Sequence, residues 1–586
     1  MEQTHIRAVL SGNEAVARGA HEGGVRFASG YPGTPSTEIL ESVVRYEGIH
    51  AEWAPNEKVA LETAAGAALA GARSLVTMKH VGLNVAADPF FSLSYAGVNA
   101  GLVVVSADDP GMHSSQNEQD NRHLARAAKV PMLEPSDSEE ARDFLILGLE
   151  LSEMYDTPVL LRMTTRVCHS ESPVRLKNPV QVKKRAYAKD FKKNVLLPSN
   201  ARGRHEFVEK RMRELGEKSN VLLSVNRIEL GSNELGIITS GIAYQYAREV
   251  FPYASFLKLG ITHPLPKKLI AYFASRVKKL IVVEELDPYL EEQLRAMGIA
   301  VVGKERVPLT GELNVDIVAE AFAGMGAVST PLDRPAPIRM SLPDRPPTLC
   351  PGCSHRGVFM ALKKLRATVT GDIGCYTLGA IPPLETMDTC LEMGASVGMA
   401  YGMERAGGGA GKTVALIGDS TFIHSGITGL INIVYNQGAT TVCILDNHVT
   451  AMTGHQPNPG TGRTISGAPA PRIDYEQLAR AVGVKRVRKV DPFNVEEMEK
   501  VFREEMAANE PSVVIADAPC ILNEKIEFGE PYRIVEEKCP KCGLCVKVGC
   551  AAVGVADDGM PYIDSLLCVG CALCVGVCKF DAIVPV

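Results

Sequence analysis

The sequence predicts an α/β protein: several doubly wound parallel-sheet domains, followed by a small C-terminal α+β domain. Three observations carry this reading. Short apolar runs recur at 74–77, 102–106, 235–239, 280–284, 414–417 and 441–445, with helix-length segments available between them, as expected of buried parallel strands. Polar clusters follow these runs, at the strand ends where open α/β sheets bind ligands. Eight of the fifteen cysteines lie between Cys539 and Cys578, and in a cytosolic chain such clustering favours metal over disulfides.

At 586 residues the chain has room for three or four domains of about 100–200 residues each. Its net charge of −6 is mildly acidic, and no run approaches the ~18 apolar residues of a membrane span. Neither nucleic acid nor a membrane is expected as a partner. The start, Met1-Glu2-Gln3-Thr4-His5-Ile6-Arg7, lacks the basic-then-apolar layout of a signal peptide, which predicts a cytoplasmic protein.

Residues 1–170 read as the first α/β domain. After an apolar stretch, Tyr31-Pro32-Gly33-Thr34-Pro35 predicts a strand-to-helix turn with Thr34 as N-cap, Pro35 as first helical residue and Glu38 in the first turn. A helix N-terminus there suits a substrate carboxylate. Asn56-Glu57 opens an alanine- and glycine-rich helix running through Gly66 and Gly71. Lys79 and His80 follow the next strand, placed to neutralise a carboxylate or move protons. The segment from Asp108 to Arg122 is dense in hydrogen-bonding groups, a composition that builds sites more often than cores.

Residues 171–233 form a basic stretch with Lys183-Lys184-Arg185 and Lys192-Lys193. Interspersed acids and the lack of an aromatic ladder make it a solvated linker with an exposed helix. Residues 234–328 read as a second α/β domain, without clustered reactive residues and therefore structural. Residues 329–347 are a proline-rich connector, 348–527 a third α/β domain, and 528–586 the cysteine-rich tail. Gly407-Gly408-Gly409-Ala410-Gly411-Lys412-Thr413 invites a phosphate-loop reading, but position 406 is Ala and the run precedes a strand instead of following one; ATP binding by this loop is rejected.

In the third domain, Gly418-Asp419-Ser420-Thr421 and Asp446-Asn447-His448-Val449-Thr450 each follow an apolar run. A glycine admits close approach of a phosphate, and Asp and Asn oxygens suit a hard divalent cation that keeps phosphate oxygens as further ligands. The pair resembles the Mg²⁺-diphosphate motif of thiamine diphosphate (ThDP) enzymes. By that resemblance Asp419, Asn447 and the carbonyl of Val449 hold Mg²⁺, Gly418 and Ser420 adjoin the diphosphate, and Gly394, at the head of another small-residue helix, lines its pocket. ThDP also needs a carboxylate against its aminopyrimidine ring, to promote the tautomer that deprotonates the thiazolium carbon. Glu57 suits that role.

The tail reads Cys539-x₂-Cys542-x₂-Cys545-x₄-Cys550, then Cys568-x₂-Cys571-x₂-Cys574-x₃-Cys578. It resembles two-cluster bacterial ferredoxins, in which each run lends its fourth cysteine to the other cluster. The resemblance assigns Cys539, Cys542, Cys545 and Cys578 to one [4Fe–4S] cluster, and Cys568, Cys571, Cys574 and Cys550 to the second. Four residues precede Cys550 and no proline follows Cys550 or Cys578, departures that touch local geometry and potential but not the ligand count. Cys350, Cys353, Cys375 and Cys520 form a further set in the third α/β domain; its alternatives are a third cluster or a Cys-x₂-Cys turn with two unrelated thiols.

Together with Met78-Lys79-His80-Val81-Gly82-Leu83-Asn84, Ser114-Ser115-Gln116-Asn117-Glu118-Gln119-Asp120 and Cys350-Pro351-Gly352-Cys353, these motifs resemble, over essentially the whole chain, the alpha subunits of indolepyruvate ferredoxin oxidoreductases, in the 2-oxoacid:ferredoxin oxidoreductase family. The resemblance implies oxidative decarboxylation of aryl pyruvates with coenzyme A, giving aryl-acetyl-CoA, carbon dioxide and reduced ferredoxin. It implies Glu57 as activator of ThDP, Thr34 as binder of the substrate carboxylate, a third cluster on Cys350, Cys353, Cys375 and Cys520, and a smaller beta subunit as partner in an anaerobe's heteromer. Rival readings are another 2-oxoacid as substrate, a non-oxidative ThDP decarboxylase, which has no use for the cysteine tail, and an electron-transfer subunit with an inactive ThDP fold, against which Glu57, Asp419 and Asn447 argue.

Overall fold

The computed structural model describes residues 6–325, 342, 346–407 and 413–586. The chain divides into two compact units, Met1–Ile338 and Arg339–Val586. Most of the proline-rich connector and most of the rejected phosphate loop lie outside the described residues.

The first unit is built on a seven-stranded sheet in the order Ile261–His263, Met132–Leu133, Val159–Thr164, Leu102–Asp108, Ser74–Lys79, Phe27–Gly30 and His50–Trp53. All neighbours are parallel except Ile261–His263, which runs antiparallel to Met132–Leu133. The strand Leu102–Asp108 is buried along its whole length, which is why its sequence is a continuous apolar run instead of an alternating one. A second sheet of four strands orders Lys279–Val283, Ser232–Ser240, Ala254–Leu259 and Arg227–Glu229.

The 234–328 segment is less separate than its sequence suggests. It donates Ile261–His263 to the edge of the first sheet, and Ile238, Leu257, Leu259 and Val282 join one apolar cluster with Leu61, Val76, Val104 and Leu160. Nor is it free of clustered charge. The fully buried Arg122 donates to Asp120 Oδ2 at 2.6 Å and to Glu284 Oε2 at 2.7 Å, and the neighbouring Arg162 donates to Asp108 and Glu134, each at 2.7 Å. Two interlocked acid–base sets of this kind fix geometry, since losing either partner would strand a buried charge. In the basic stretch, the helix Pro198–Ser219 is largely exposed and buries Val208, Arg211, Leu215 and Ser219.

The second unit holds an all-parallel sheet ordered Thr389–Cys390, Thr368–Gly371, Thr413–Gly418, Thr441–Asp446, Ser512–Asp517 and Arg486–Val490. Apolar clusters cover both faces, one around Phe359, Leu416 and Phe502, the other around Phe422, Ile444 and Ile515. The tail folds as two antiparallel ribbons, Tyr532–Ile534 with Ile583–Pro585 and Val553–Val555 with Pro561–Ile563, around a small core containing Cys545 and Cys574.

Candidate active site and thiol clusters

In the first unit the loops after three adjacent parallel strands gather the candidate residues at one sheet end. Asn56 caps the helix Glu57–Leu69, its side chain accepting from Val59 N at 2.9 Å. This places Glu57 in the first turn with only 4% of its surface exposed. Space for its carboxylate comes from Gly82: a Cβ there would stand 2.6 Å from Glu57 Oε1. Lys79 Nζ donates to Ser114 O at 2.9 Å, and Ser114 Oγ donates to Thr34 O at 3.2 Å. Burial holds the Lys79 ammonium below the usual lysine range, opposed by the charges of Asp109 and Glu57. His80 is fully buried with Nε2 facing Asn117 Oδ1 at 3.0 Å, and its carbonyl accepts from Asn121 Nδ2 at 3.0 Å. The polar segment from Asp108 to Arg122 thus clamps Lys79 and His80 in place.

One expectation fails here. The helix begins at Thr37, so Thr34 is not its N-cap and Pro35 is not its first residue. The turn closes instead through Thr37 and Ser36: Thr37 Oγ1 accepts from Gly33 N at 3.0 Å, and Ser36 Oγ donates to Gly33 O at 2.9 Å. With seven helical residues and no side-chain cap, this turn offers no helix-terminus argument for anion binding by Thr34.

In the second unit, parallel register brings four loops to the C-terminal end of one sheet: those carrying Asp372 and Cys375, Asp419, Asn447, and Cys520. Asp419, 3% exposed, is pushed up to about 7 by burial and then by the nearby Asp446 carboxylate. A cation is what such a carboxylate lacks. Asn447 is buried and its side chain makes no hydrogen bond among the described residues; its carbonyl accepts from Cys520 N at 3.0 Å. Val449 is 3% exposed. From Asp419 the chain runs through a π-helical turn, Phe422–Gly426, into the helix Ile427–Tyr435. Gly418 lies against Tyr376, where a Cβ would come within 2.8 Å of Cε1, and Ser420 is buried beside it in sequence.

Four residues not given a role from sequence shape this end of the sheet. Asp372 accepts from Gly394 N at 2.8 Å and Ser396 N at 3.1 Å, fixing Gly394 at φ +94° as the head of the helix Ala395–Arg405. Asn458 Nδ2 donates to Asp419 Oδ2 at 3.3 Å. His448 Nε2 and Asp517 Oδ1, 2.6 Å apart, link the loop after one strand to the end of the next; that hydrogen bond raises the histidine's pKa and holds the Asp517 carboxyl down. Asp372 and His448 lie just past strand ends and Asp517 closes its strand, a positional signal that Asn458 lacks.

The thiols fall into groups. Burial pushes Cys375 up to about 11, with Cys520 and Cys350 adding to it, and Cys353 up to about 12, with Cys350 and Cys375 adding. Cys350, Cys353, Cys375 and Cys520 therefore interact as one set. In the tail, Cys574 is pushed up to about 12 by burial, then by Cys571, Cys550 and Cys568. These four cysteines line a common cavity, so Cys550 sits with the second run. Cys545 interacts with Cys539 and Cys542, and Cys578 packs against the core that contains Cys545 and Cys574.

The residues present fit the groups their chemistry implies. A buried acid and a buried amide at the ends of two paired strands suit Mg²⁺, a carboxylate in a glycine-made recess suits the aminopyrimidine of ThDP, and soft thiols gathered in fours suit iron–sulfur clusters.

Comparison with known proteins bears on the ThDP and iron–sulfur cofactors. Residues 18–213 match the family described as pyruvate flavodoxin/ferredoxin oxidoreductase, thiamine diphosphate-binding; residues 372–516 match the thiamine pyrophosphate enzyme C-terminal TPP-binding domain; residues 561–584 match the 4Fe-4S binding domain. The indolepyruvate oxidoreductase subunit IorA of Methanothermobacter marburgensis is 43% identical over 99% of this chain and 97% of its own length, and that of Pyrococcus abyssi 40% over 98% and 96%. Among solved structures, a 2-oxoglutarate:ferredoxin oxidoreductase from Magnetococcus marinus covers 53% of this chain and 64% of its own at 18% identity and TM-score 0.46. The chain belongs to the IorA family of indolepyruvate oxidoreductase subunits, ThDP- and iron–sulfur-dependent enzymes of the 2-oxoacid:ferredoxin oxidoreductase class.

Proposed function

We propose that this chain catalyses oxidative decarboxylation of aryl pyruvates, the indolepyruvate and phenylpyruvate class, with coenzyme A. The products are aryl-acetyl-CoA and carbon dioxide, and the electron pair released passes singly through [4Fe–4S] clusters to ferredoxin. The observation that carries the reading is the 3.0 Å bond from Cys520 N to the carbonyl of Asn447. It ties the cation-suited loop to the thiol set of Cys350, Cys353, Cys375 and Cys520, as transfer of electrons from carbon chemistry to a cluster requires. The names of the full-length relatives support the aryl substrate.

Bound ThDP would supply a nucleophilic carbon and an electron sink for the decarboxylated substrate. Glu57 holds a proton against the aminopyrimidine; its burial beside Gly82 excludes water from that contact. Asp419, Asn447 and the Val449 carbonyl would hold Mg²⁺, and Gly418, Ser420 and Gly394 would adjoin the diphosphate. Lys79 offers a half-buried cation to the substrate carboxylate, and Thr34 and Ser114 stand beside it; His80 orients the loop. Cys350, Cys353, Cys375 and Cys520 hold the first cluster, and Cys550, Cys568, Cys571 and Cys574 a second. Cys539, Cys542, Cys545 and Cys578 hold a third. A smaller beta subunit completes the enzyme, as the IorA name implies, and ferredoxin is the acceptor. No helix among the described residues is long and apolar enough to cross a membrane.

The test is anaerobic reduction of the chain with its small partner by indolepyruvate, CoA, ThDP and Mg²⁺, followed by EPR. Cluster signals should appear with the oxoacid, pass to added ferredoxin, and fall at least 100-fold in rate in Glu57→Gln, on the scale of a lost acid–base group (~10²–10⁴-fold). Clusters that dithionite reduces but no oxoacid does would sink the assignment and leave an electron-transfer subunit.

A further inference from the structure

Arg356 is 1% exposed, among the largest fully buried side chains of the protein. It makes no ion pair with a carboxylate among the described residues. Its donors go to main-chain carbonyls on two sides: Nη2 to Leu349 O at 2.9 Å and Cys350 O at 3.0 Å, Nη1 to Gly549 O at 2.6 Å and Val548 O at 3.3 Å. Its Nε is buried without a partner. A guanidinium in this setting costs several kcal/mol unless a counter-charge lies close.

The surroundings identify that counter-charge. Arg356, Pro351 and Gly352 line the same cavity as Cys550, Cys568, Cys571 and Cys574. Arg356 Nη2 bonds the carbonyl of Cys350 itself, and Nη1 bonds the carbonyl of Gly549, the residue before Cys550. Contact between the two thiol sets is tight: Gly352 lies at φ +73°, and a Cβ on it would meet Val569 Cγ2 at 2.5 Å. A cubane held by four thiolates is a dianion when oxidised and a trianion when reduced, and its potential follows the charge around it.

We infer that Arg356 is the shared counter-ion of two clusters, one on Cys350, Cys353, Cys375 and Cys520 and one on Cys550, Cys568, Cys571 and Cys574, and that it raises both reduction potentials while holding the two in register for electron transfer. The inference rests on the cluster assignment proposed above. An electron passing from the first cluster to the second oxidises one and reduces the other. The guanidinium compensates the extra negative charge on either side, and no proton need move. Arg356 is a positioning residue; it touches no substrate.

The test is EPR-monitored redox titration of the iron-loaded enzyme with its partner subunit, comparing the wild type with Arg356→Gln, which keeps donors for the carbonyls but loses the charge, and Arg356→Lys, which keeps the charge but loses the fork. In the Gln variant both clusters beside Arg356 should become harder to reduce by about tenfold in the reduced-to-oxidised ratio at fixed poise, about 59 mV for a one-electron couple. The cluster on Cys539, Cys542, Cys545 and Cys578 should not move, and the Lys variant should stay near the wild type. A Gln variant that fails to hold iron where Lys holds it also supports the charge role. Unchanged potentials in Gln, equal shifts in Gln and Lys, or loss of iron from both variants would overturn it. Failure of the cluster assignment shows separately, as iron for fewer than three cubanes in the wild type.

Discussion

Gly82 and Glu57 illustrate how one missing side chain makes another useful. The carboxylate occupies the place a Cβ would take, 2.6 Å from its ideal position, so Gly82→Ala must push Glu57 aside. A shift of about 1 Å at a reacting group can cost roughly 10²-fold in rate. The expected outcome is a 10- to 100-fold slower substrate-driven cluster reduction, with dithionite reduction of the clusters and the circular dichroism spectrum unchanged. Retention of full rate would mean that the Glu57 position is not critical. Lys79 depends on a partner in the same way, since its ammonium is fixed by a single carbonyl, Ser114 O.

At the scale of elements, the strand Lys279–Val283 ends in Glu284 and Glu285, both buried. Glu284 has Arg122 as a counter-ion. Glu285 accepts from Leu313 N at 3.1 Å and is pushed up to about 7 by burial, with only partial relief from that bond and from Arg162. The folded pKa lies above the ordinary 4.5, so the protonated carboxyl is harmless at low pH and the stability it permits is lost as pH rises from 4.5 through about 7. The cost of ionising it is at most about 3 kcal/mol. Glu285→Gln should therefore raise the thermal midpoint of the first unit at about pH 8 and change it little at about pH 5; an equal change at both would refute the linkage. Legibility followed the same division between local and distant. The parallel strands stood out as apolar runs because both their faces are covered. The turn at Thr34 was misread because its bonds come from Thr37 and Ser36, residues as ordinary in sequence as Thr34 itself. Asp372, Asn458 and Arg356 carried no pattern: their partners lie 22, 39 and 193 residues away, and only the folded chain brings them together.

At the scale of the whole molecule, the candidate cluster ligands all lie in one half. Cys168 is the single cysteine before residue 339, and it is buried; every thiol grouped above belongs to the second unit. Calorimetry should accordingly resolve two transitions. Removing iron with a chelator under reducing conditions should lower only the one that arises from Arg339–Val586, because metal-site binding energy is folding energy for the unit that holds it. Equal destabilisation of both would contradict the assignment of all clusters to the tail half. The strand Ile261–His263, hydrogen-bonded to Met132–Leu133 at the edge of the first sheet, has a further consequence for how such a chain can be divided among genes. A break near residue 233 would separate an edge strand from its sheet and expose that edge to other chains, whereas a break near residue 338 leaves every sheet among the described residues intact. Gene fission, or a synthetic split into two co-expressed polypeptides, therefore has a structurally favoured seam at the boundary between the units and an unfavourable one inside the first.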